Sequence, residues 1–185
     1  MSEERARARI ASWLEPIAAG PTPAGDDARY DPGHELIRAE AAKLEAPAGG
    51  PPNWALIVKE GEKLTTNKSK DLLIEAYVAG ALWEGEGLLG LAAGLFLLAE
   101  SMDRFWEHMF PPVKRLRARV NAIDWLMERT NLTLGETPVG AGDHDAVAAL
   151  EAGAKRLREV VSARFEDQAP AIRPLIETIE RMKLN

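Results

Sequence analysis

Cysteine is absent from the 185 residues. That excludes disulfides, thiolate zinc sites and a cysteine nucleophile, and it suits a reducing compartment. Histidine is scarce, with only His34, His108 and His144. There is no Gly-x-Ser-x-Gly nucleophile turn. Gly85-Glu86-Gly87 opens a helix but lacks the lysine-serine pair and the preceding strand of a phosphate loop. An excess of cationic charge is missing too. The formal net charge is -6 and the pI about 5.2, which argues against nucleic acid or an anionic membrane as the main partner. No apolar run reaches membrane length: the longest, Gly87 to Ala99, has 13 residues between Glu86 and Glu100, against about 20 for a span. The N-terminus is charged and lacks an apolar core segment, so no secretory signal is expected there. The expectation is a cytoplasmic protein without membrane insertion, long enough to bury roughly two-thirds of its unfolded surface without a metal or disulfide.

What is present is a succession of helix signals. A first short helix is predicted over Glu3 to Glu15, stopped by Pro16, which cannot supply an interior helical N–H. After a Gly/Pro-rich loop, Asp31-Pro32 marks a helix start: aspartate accepts first-turn amides and proline presets φ. That helix is expected to reach about Leu44. Ala46 to Pro52 is predicted as loop, and Asn53 as the cap of a helix from Trp54 to about Leu64. The run Trp54 to Val58 also reads as a short strand, but an isolated strand has nowhere to place its hydrogen bonds, so helix is preferred. Ser69 to Trp83 carries Leu73, Ala76, Tyr77, Gly80 and Trp83 on one stripe. Gly85 and Gly87 predict a tight break before a helix over Leu88 to Met109, apolar on nearly every side and so expected at the centre of a bundle. On it Gly90 and Gly94 are small enough to let a neighbouring backbone approach. Pro111-Pro112 ends that helix, and another is predicted over Lys114 to Arg129.

Asn131 to Gly142 is rich in glycine and proline and is the best candidate for a boundary. Beyond it, Asp143 is expected to cap a helix whose Val147, Leu150, Ala154, Leu157 and Val161 form a heptad-like seam. Ile172, Leu175, Ile176, Ile179 and Met182 give a last helix one apolar face. The fold class expected is all-α, a multi-helix bundle with a C-terminal helical hairpin. The organisation expected is a helical domain over 1–131, a linker over 132–142, and a hairpin over 143–185 packed on that domain or on a partner.

The residues with reactive groups have structural explanations. His34 lies in a first helical turn, and His108 closes the long apolar helix, where the helix dipole favours it. His144 between Asp143 and Asp145 invites a metal, but neighbours at a helix start point in different directions. Asp26, Asp27 and Asp31 lack the oxygen spacing of a calcium loop and are expected to cap helices and pair with Arg29. The basic run Lys114 to Arg119 has no nucleic-acid motif beside it and reads as a solvated face or a docking patch for an acidic protein. The five tryptophans, Trp13, Trp54, Trp83, Trp106 and Trp125, fall mostly on apolar stripes. An exposed one would be a natural interface anchor. No catalytic, cofactor-binding or metal residues are assigned.

Several segments together resemble the N-terminal domain of the TssA/ImpA proteins of bacterial type VI secretion systems. They are Gly25-Asp26-Asp27-Ala28-Arg29-Tyr30-Asp31-Pro32; Asn53-Trp54; Ser69-Lys70-Asp71-Leu72 leading to Leu82-Trp83-Glu84-Gly85-Glu86-Gly87-Leu88-Leu89-Gly90-Leu91-Ala92-Ala93-Gly94-Leu95; Phe105-Trp106-Glu107-His108-Met109-Phe110-Pro111; and Arg119-Val120-Asn121-Ala122-Ile123-Asp124-Trp125-Leu126. Each is weak alone, and their order and spacing carry the likeness from about Trp13 to Asn131. The resemblance implies a non-enzymatic scaffold that contacts baseplate, sheath, tube or membrane-complex proteins. It transfers no catalytic residue and no cofactor. Many family members add a ring-forming C-terminal domain. Only about 50 residues follow Asn131 here, so ring formation is not carried over, self-association is left open, and a fragment or a short member is expected. Two other readings stand beside it: a helical protein–protein adaptor of an unrelated pathway, docking or dimerising through the helix from Asp143 to Phe165, and a metal-dependent hydrolase using His144.

Overall fold

Asp31 and Asn53 do at the backbone what their side chains suit them to do. In the computed structural model, which describes residues 1–184 (Pro47 through its backbone alone), Asp31 Oδ1 accepts from the Gly33 N–H at 2.8 Å. It thereby opens α2, Pro32–Ala42. Asn53 Oδ1 accepts from the Leu56 N–H at 3.1 Å and opens α3, Trp54–Asn67. The run Trp54 to Val58 is therefore helical, as preferred. Before them comes α1, Ser2–Ile10, continued by a 3-10 turn, Ala11–Leu14, that buries Trp13.

Helix α4, Leu72–Phe105, is one element only in name. At Gly87 the backbone takes φ 67° and ψ -148°, a conformation that costs glycine little and other residues much. The two arms, 72–86 and 88–105, fold back on each other. On a straight helix residues 26 apart would stand about 39 Å apart, yet Ser101 Oγ donates to Glu75 Oε2 at 2.8 Å. Gly94 lies against Ala79, and Gly90 against the Leu82 carbonyl, which is the close approach their size permits. By length and composition α4 is apolar enough to cross a membrane, but the fold-back and the burial of its apolar residues make it the core of the bundle.

The second arm is the centre: every residue from Gly90 to Ala99 is buried. Each large apolar side chain there contributes about 1.5–3 kcal/mol relative to exposure. Helix α5, Leu116–Leu134, packs on the first arm with Trp125 over Gly80. It runs past Arg129 into the segment expected as linker, because Thr130 and Leu134 are buried and the Trp83 indole donates to Thr133 Oγ1 at 2.8 Å. Helix α3 places Gly61 against Val78 of the same arm. Helix α6, His144–Phe165, lies along the second arm with Gly153 against Ala92 and Leu95, and α7, Arg173–Lys183, packs on α6. The five seam residues of α6, the four apolar residues of α7 and Ile172 just before it are all buried. Among the described residues there are seven α-helices and no strand, only two isolated β-bridges. The all-α helical bundle is as expected.

Candidate functional site

The two β-bridges join three loop segments. Asp26 N–H donates to the Lys68 carbonyl at 3.0 Å and Lys70 N–H to the Ala24 carbonyl at 2.8 Å. On the other side of the same segment, Phe110 N–H donates to the Lys70 carbonyl at 2.8 Å and Leu72 N–H to the Phe110 carbonyl at 2.7 Å. Gly25 has φ 80°, and a Cβ there would strike the Lys68 carbonyl, so the first crossing needs glycine. Segments distant in the sequence thus meet in one three-ply junction at the start of α4.

Two buried cations hold the junction without carboxylate partners among the described residues. Lys70 Nζ donates to the Trp13 and Thr65 carbonyls at 2.6 and 2.8 Å. Burial brings its ammonium down to about 8. Arg119 donates from Nε to the Pro111 carbonyl at 2.7 Å, from Nη1 to the Trp106 carbonyl at 3.0 Å and from Nη2 to the Met109 carbonyl at 2.8 Å. It also lies 4.4 Å from the Trp106 ring. Burial lowers its guanidinium to about 10. Arg119 is fully buried, so the basic run expected as a solvated face has one member turned inward. Nearby, burial pushes the carboxyl of Glu75 up to about 8.

Asp71 works in two directions. Its Oδ1 accepts from the Leu73 and Ile74 amides, capping α4, while Oδ2 lies 2.9 Å from His34 Nε2. Arg38 Nε donates to His34 Nδ1 at 3.0 Å. A guanidinium can only donate, so this geometry leaves the ring proton on Nε2, facing Asp71. Arg38 Nη2 donates onward to the Arg29 carbonyl at 3.0 Å. His34, expected as an ordinary first-turn residue, is a buried link between α2 and α4.

Beside this link opens a groove of about 410 Å³. Leu73, Tyr77, Pro111 and Trp125 give it apolar lining, and Arg29, Arg38 and Arg115 stand around it. Tyr77 and Trp125 meet edge to face, with ring centres 4.7 Å apart at 86°. Trp54 and Trp125 are the two half-buried tryptophans, while the other three are buried. Sequence reasoning did not pair Tyr77 with Trp125, which lie on different helices. One signal was available: Arg115, Ala118, Ala122 and Trp125 follow spacings of three and four and share a helical face.

The other candidates do not converge. His144 is exposed at the start of α6. Asp143 Oδ2 accepts from the Gly140 N–H at 2.9 Å, so it closes the preceding turn and does not cap α6 as expected. Asp145 accepts from the Ser2 N–H and Oγ at 2.9 and 2.6 Å, tying α1 to α6. Among the described residues no group of three histidines or carboxylates is placed to hold a metal. His108 lies three residues past the end of its helix, exposed. Asp31 pairs with Lys68, not Arg29, while Asp27 Oδ1 accepts from the Arg29 backbone N–H at 2.9 Å.

Residues 14–128 match the family described as ImpA, N-terminal, type VI secretion system. The chain is 31% identical over 97 residues to the type VI secretion system component TssA1 of Pseudomonas aeruginosa, an alignment spanning 49% of this chain and 28% of that protein. It therefore corresponds to well under two thirds of that relative. The N-terminal domain, including the conserved ImpA_N region, of the TssA component of the type VI secretion system from Burkholderia cenocepacia has a similar structure. The TM-score is 0.81 at 19% identity, covering 95% of this chain and 90% of that one. At that identity the likeness establishes a common fold.

Proposed function

The chain belongs to the ImpA N-terminal family of the type VI secretion system, and on that premise we propose that it is a non-enzymatic assembly module of that apparatus, docking baseplate, sheath, tube or membrane-complex proteins in the cytoplasm. The observation that carries this reading is the family match across residues 14–128. The structure supports it in a second way. Asp71, His34 and Arg38 are engaged in capping and positioning, and the surface beside them is aromatic and cationic, which suits recognition of another protein. The helix once considered for docking, α6, has its apolar seam buried inside the chain.

The test is an affinity pull-down of the tagged protein from cells that carry the secretion system, read by mass spectrometry. Recovery of baseplate, sheath, tube or membrane-complex subunits above an untagged control is the expected outcome. A folded bait that recovers none of them would overturn the assembly reading.

A further inference from the structure

The arginines of this chain differ in how they are partnered. Arg7, Arg9, Arg129, Arg156, Arg164 and Arg173 each have a carboxylate within ion-pair distance. Nine others have none among the described residues; six of these (Arg5, Arg104, Arg117, Arg119, Arg158 and Arg181) lie apart from the groove, while Arg29, Arg38 and Arg115 border it together. Acidic residues are not in short supply, since the chain carries 29 against 23 lysines and arginines. The groove has gathered guanidiniums that the fold leaves without counter-ions.

One of the three is also held in place. Arg38 is fixed by His34 through Nε and by the Arg29 carbonyl through Nη2. That leaves its other guanidinium N–H groups free to donate to a ligand. Below them Trp125 rests over Gly80 and against Tyr77, so the aromatic lining needs no rearrangement to receive an apolar side chain.

We infer that this groove receives an extended peptide segment of a partner protein, one that carries aspartate or glutamate on either side of an aromatic or aliphatic residue. The carboxylates pair with Arg29, Arg38 and Arg115, whose planar forks match carboxylate geometry. The apolar residue lies against Trp125 and Tyr77, the kind of aromatic surface that anchors interfaces. Nucleic acid is a poorer fit. Asp27 and the apolar lining separate the arginines, which suits carboxylates spaced by an apolar residue better than the evenly spaced charges of a polyphosphate. The inference deepens the assembly reading and rests on it, because it names the chemistry of the segment that is docked.

The experiment is a selection from a random peptide display library, with inserts of about 12 residues, on the full chain, followed by affinity measurements on the enriched peptides. The expected sequences are acidic with an apolar centre. Their binding weakens at least about tenfold in the Arg29→Glu/Arg115→Glu double variant, and also between about 0.1 and 0.5 M NaCl. Arg29 and Arg115 are exposed, so the double variant is expected to keep the parent melting temperature. Arg158→Glu on α6, outside the groove, leaves binding unchanged. Enrichment of neutral or basic peptides, no enrichment at all, or equal binding by the double variant would overturn the inference. So would tighter binding of a single-stranded oligonucleotide than of any acidic peptide. The pull-down separates the two readings. If the double variant recovers secretion subunits as the parent does, the groove is not the docking site and the assembly reading stands; if the parent recovers none, the assembly reading falls whatever peptides bind.

Discussion

The face formed by α1, α4 and α6 and the face around the groove use the same residue type to opposite ends. On the first, Glu100 accepts from Arg7 at 3.1 Å and from Arg156 at 2.9 and 3.1 Å. The hydrogen bond from Arg156 is the main reason its carboxyl is held below the usual range. Arg9 is paired bidentately with Glu86 at the helical fold-back, at 3.0 and 3.1 Å. These cations are satisfied by the chain and tie helices together. Around the groove, the Arg38 guanidinium is positioned by a histidine and a carbonyl, and Arg29 and Arg115 stand exposed beside it without a carboxylate partner among the described residues. The difference teaches that charge on this protein is informative only after its partners have been counted. A paired arginine belongs to the fold, and an unpaired one at a concave aromatic surface is available to something else.

The sharpest break in that comparison comes from a third kind of cation, the buried one. Arg119→Ala removes the donor to three carbonyls at the junction and leaves a cavity beside Trp106. Three buried carbonyl acceptors lose their partner, which is costly, and the cavity left by a large buried side chain adds to it. The expected destabilisation is about 3–5 kcal/mol, or roughly 10 °C in melting temperature for a chain of this size, measured by urea and thermal unfolding. A loss under about 1 kcal/mol would mean that the three carbonyls find other donors and that Arg119 does not organise the junction.

The second effect concerns Glu75 and has a direction in pH. Its carboxyl ionises near 4.5 in an exposed setting, but burial raises this to about 8 in the folded protein. Below 4.5 both folded and unfolded states hold the proton. As pH rises above that, the unfolded chain releases it while the folded chain keeps it, so stability falls until about pH 8. Glu75→Gln imitates the neutral form and escapes the loss. The variant is expected to be more stable than the parent by about 1–3 kcal/mol at pH 8, with the gain shrinking towards pH 5. Melting curves at several pH values check it, and a gain independent of pH would assign the effect to packing. Above pH 8 the lowered Lys70 works the other way, because the unfolded state then holds the extra proton, so the comparison is made below that.

These residues also show what the sequence could and could not reveal. Asp31 before Pro32, Asn53 before Trp54 and the glycine at 87 act on backbone within a few residues, so their local chemistry predicts helix starts and a break, though not that the two arms pack on each other. The small residues Gly90 and Gly94 announced a close approach without naming Ala79 and Leu82 as the partners. Arg119 was hidden because a cation in a run of cations looks solvated, yet its acceptors lie where the second arm of α4 ends. A helix ending before Pro111-Pro112 leaves carbonyls that need donors, and that need is visible only when the ending at Phe105 is known. His34 and Asp71 are 37 residues apart, and no periodic pattern links them. The groove was the least legible feature, since it exists only where α2, α4, α5 and the loop after α4 meet.

The smallest expected effect separates the two faces most directly. Arg156 engages Glu100, Asp103 and Glu159, so Arg156→Ala should cost about 0.5–1.5 kcal/mol, less in high salt, as a networked surface ion pair does. Arg29→Ala and Arg115→Ala give up no ion pair and should each change stability by less than about 0.5 kcal/mol. Denaturant midpoints for the three variants at low and high salt provide the test. Should either groove arginine prove as costly as Arg156, with the same salt dependence, it would have an intramolecular partner in solution. The division between arginines that hold the fold and arginines that await a ligand would then dissolve. If the groove variants are neutral while Arg156→Ala is not, the groove arginines contribute nothing to folding that would explain their gathering around Trp125. That outcome is what a surface set aside for binding predicts, and the peptide measurements then decide whether it binds.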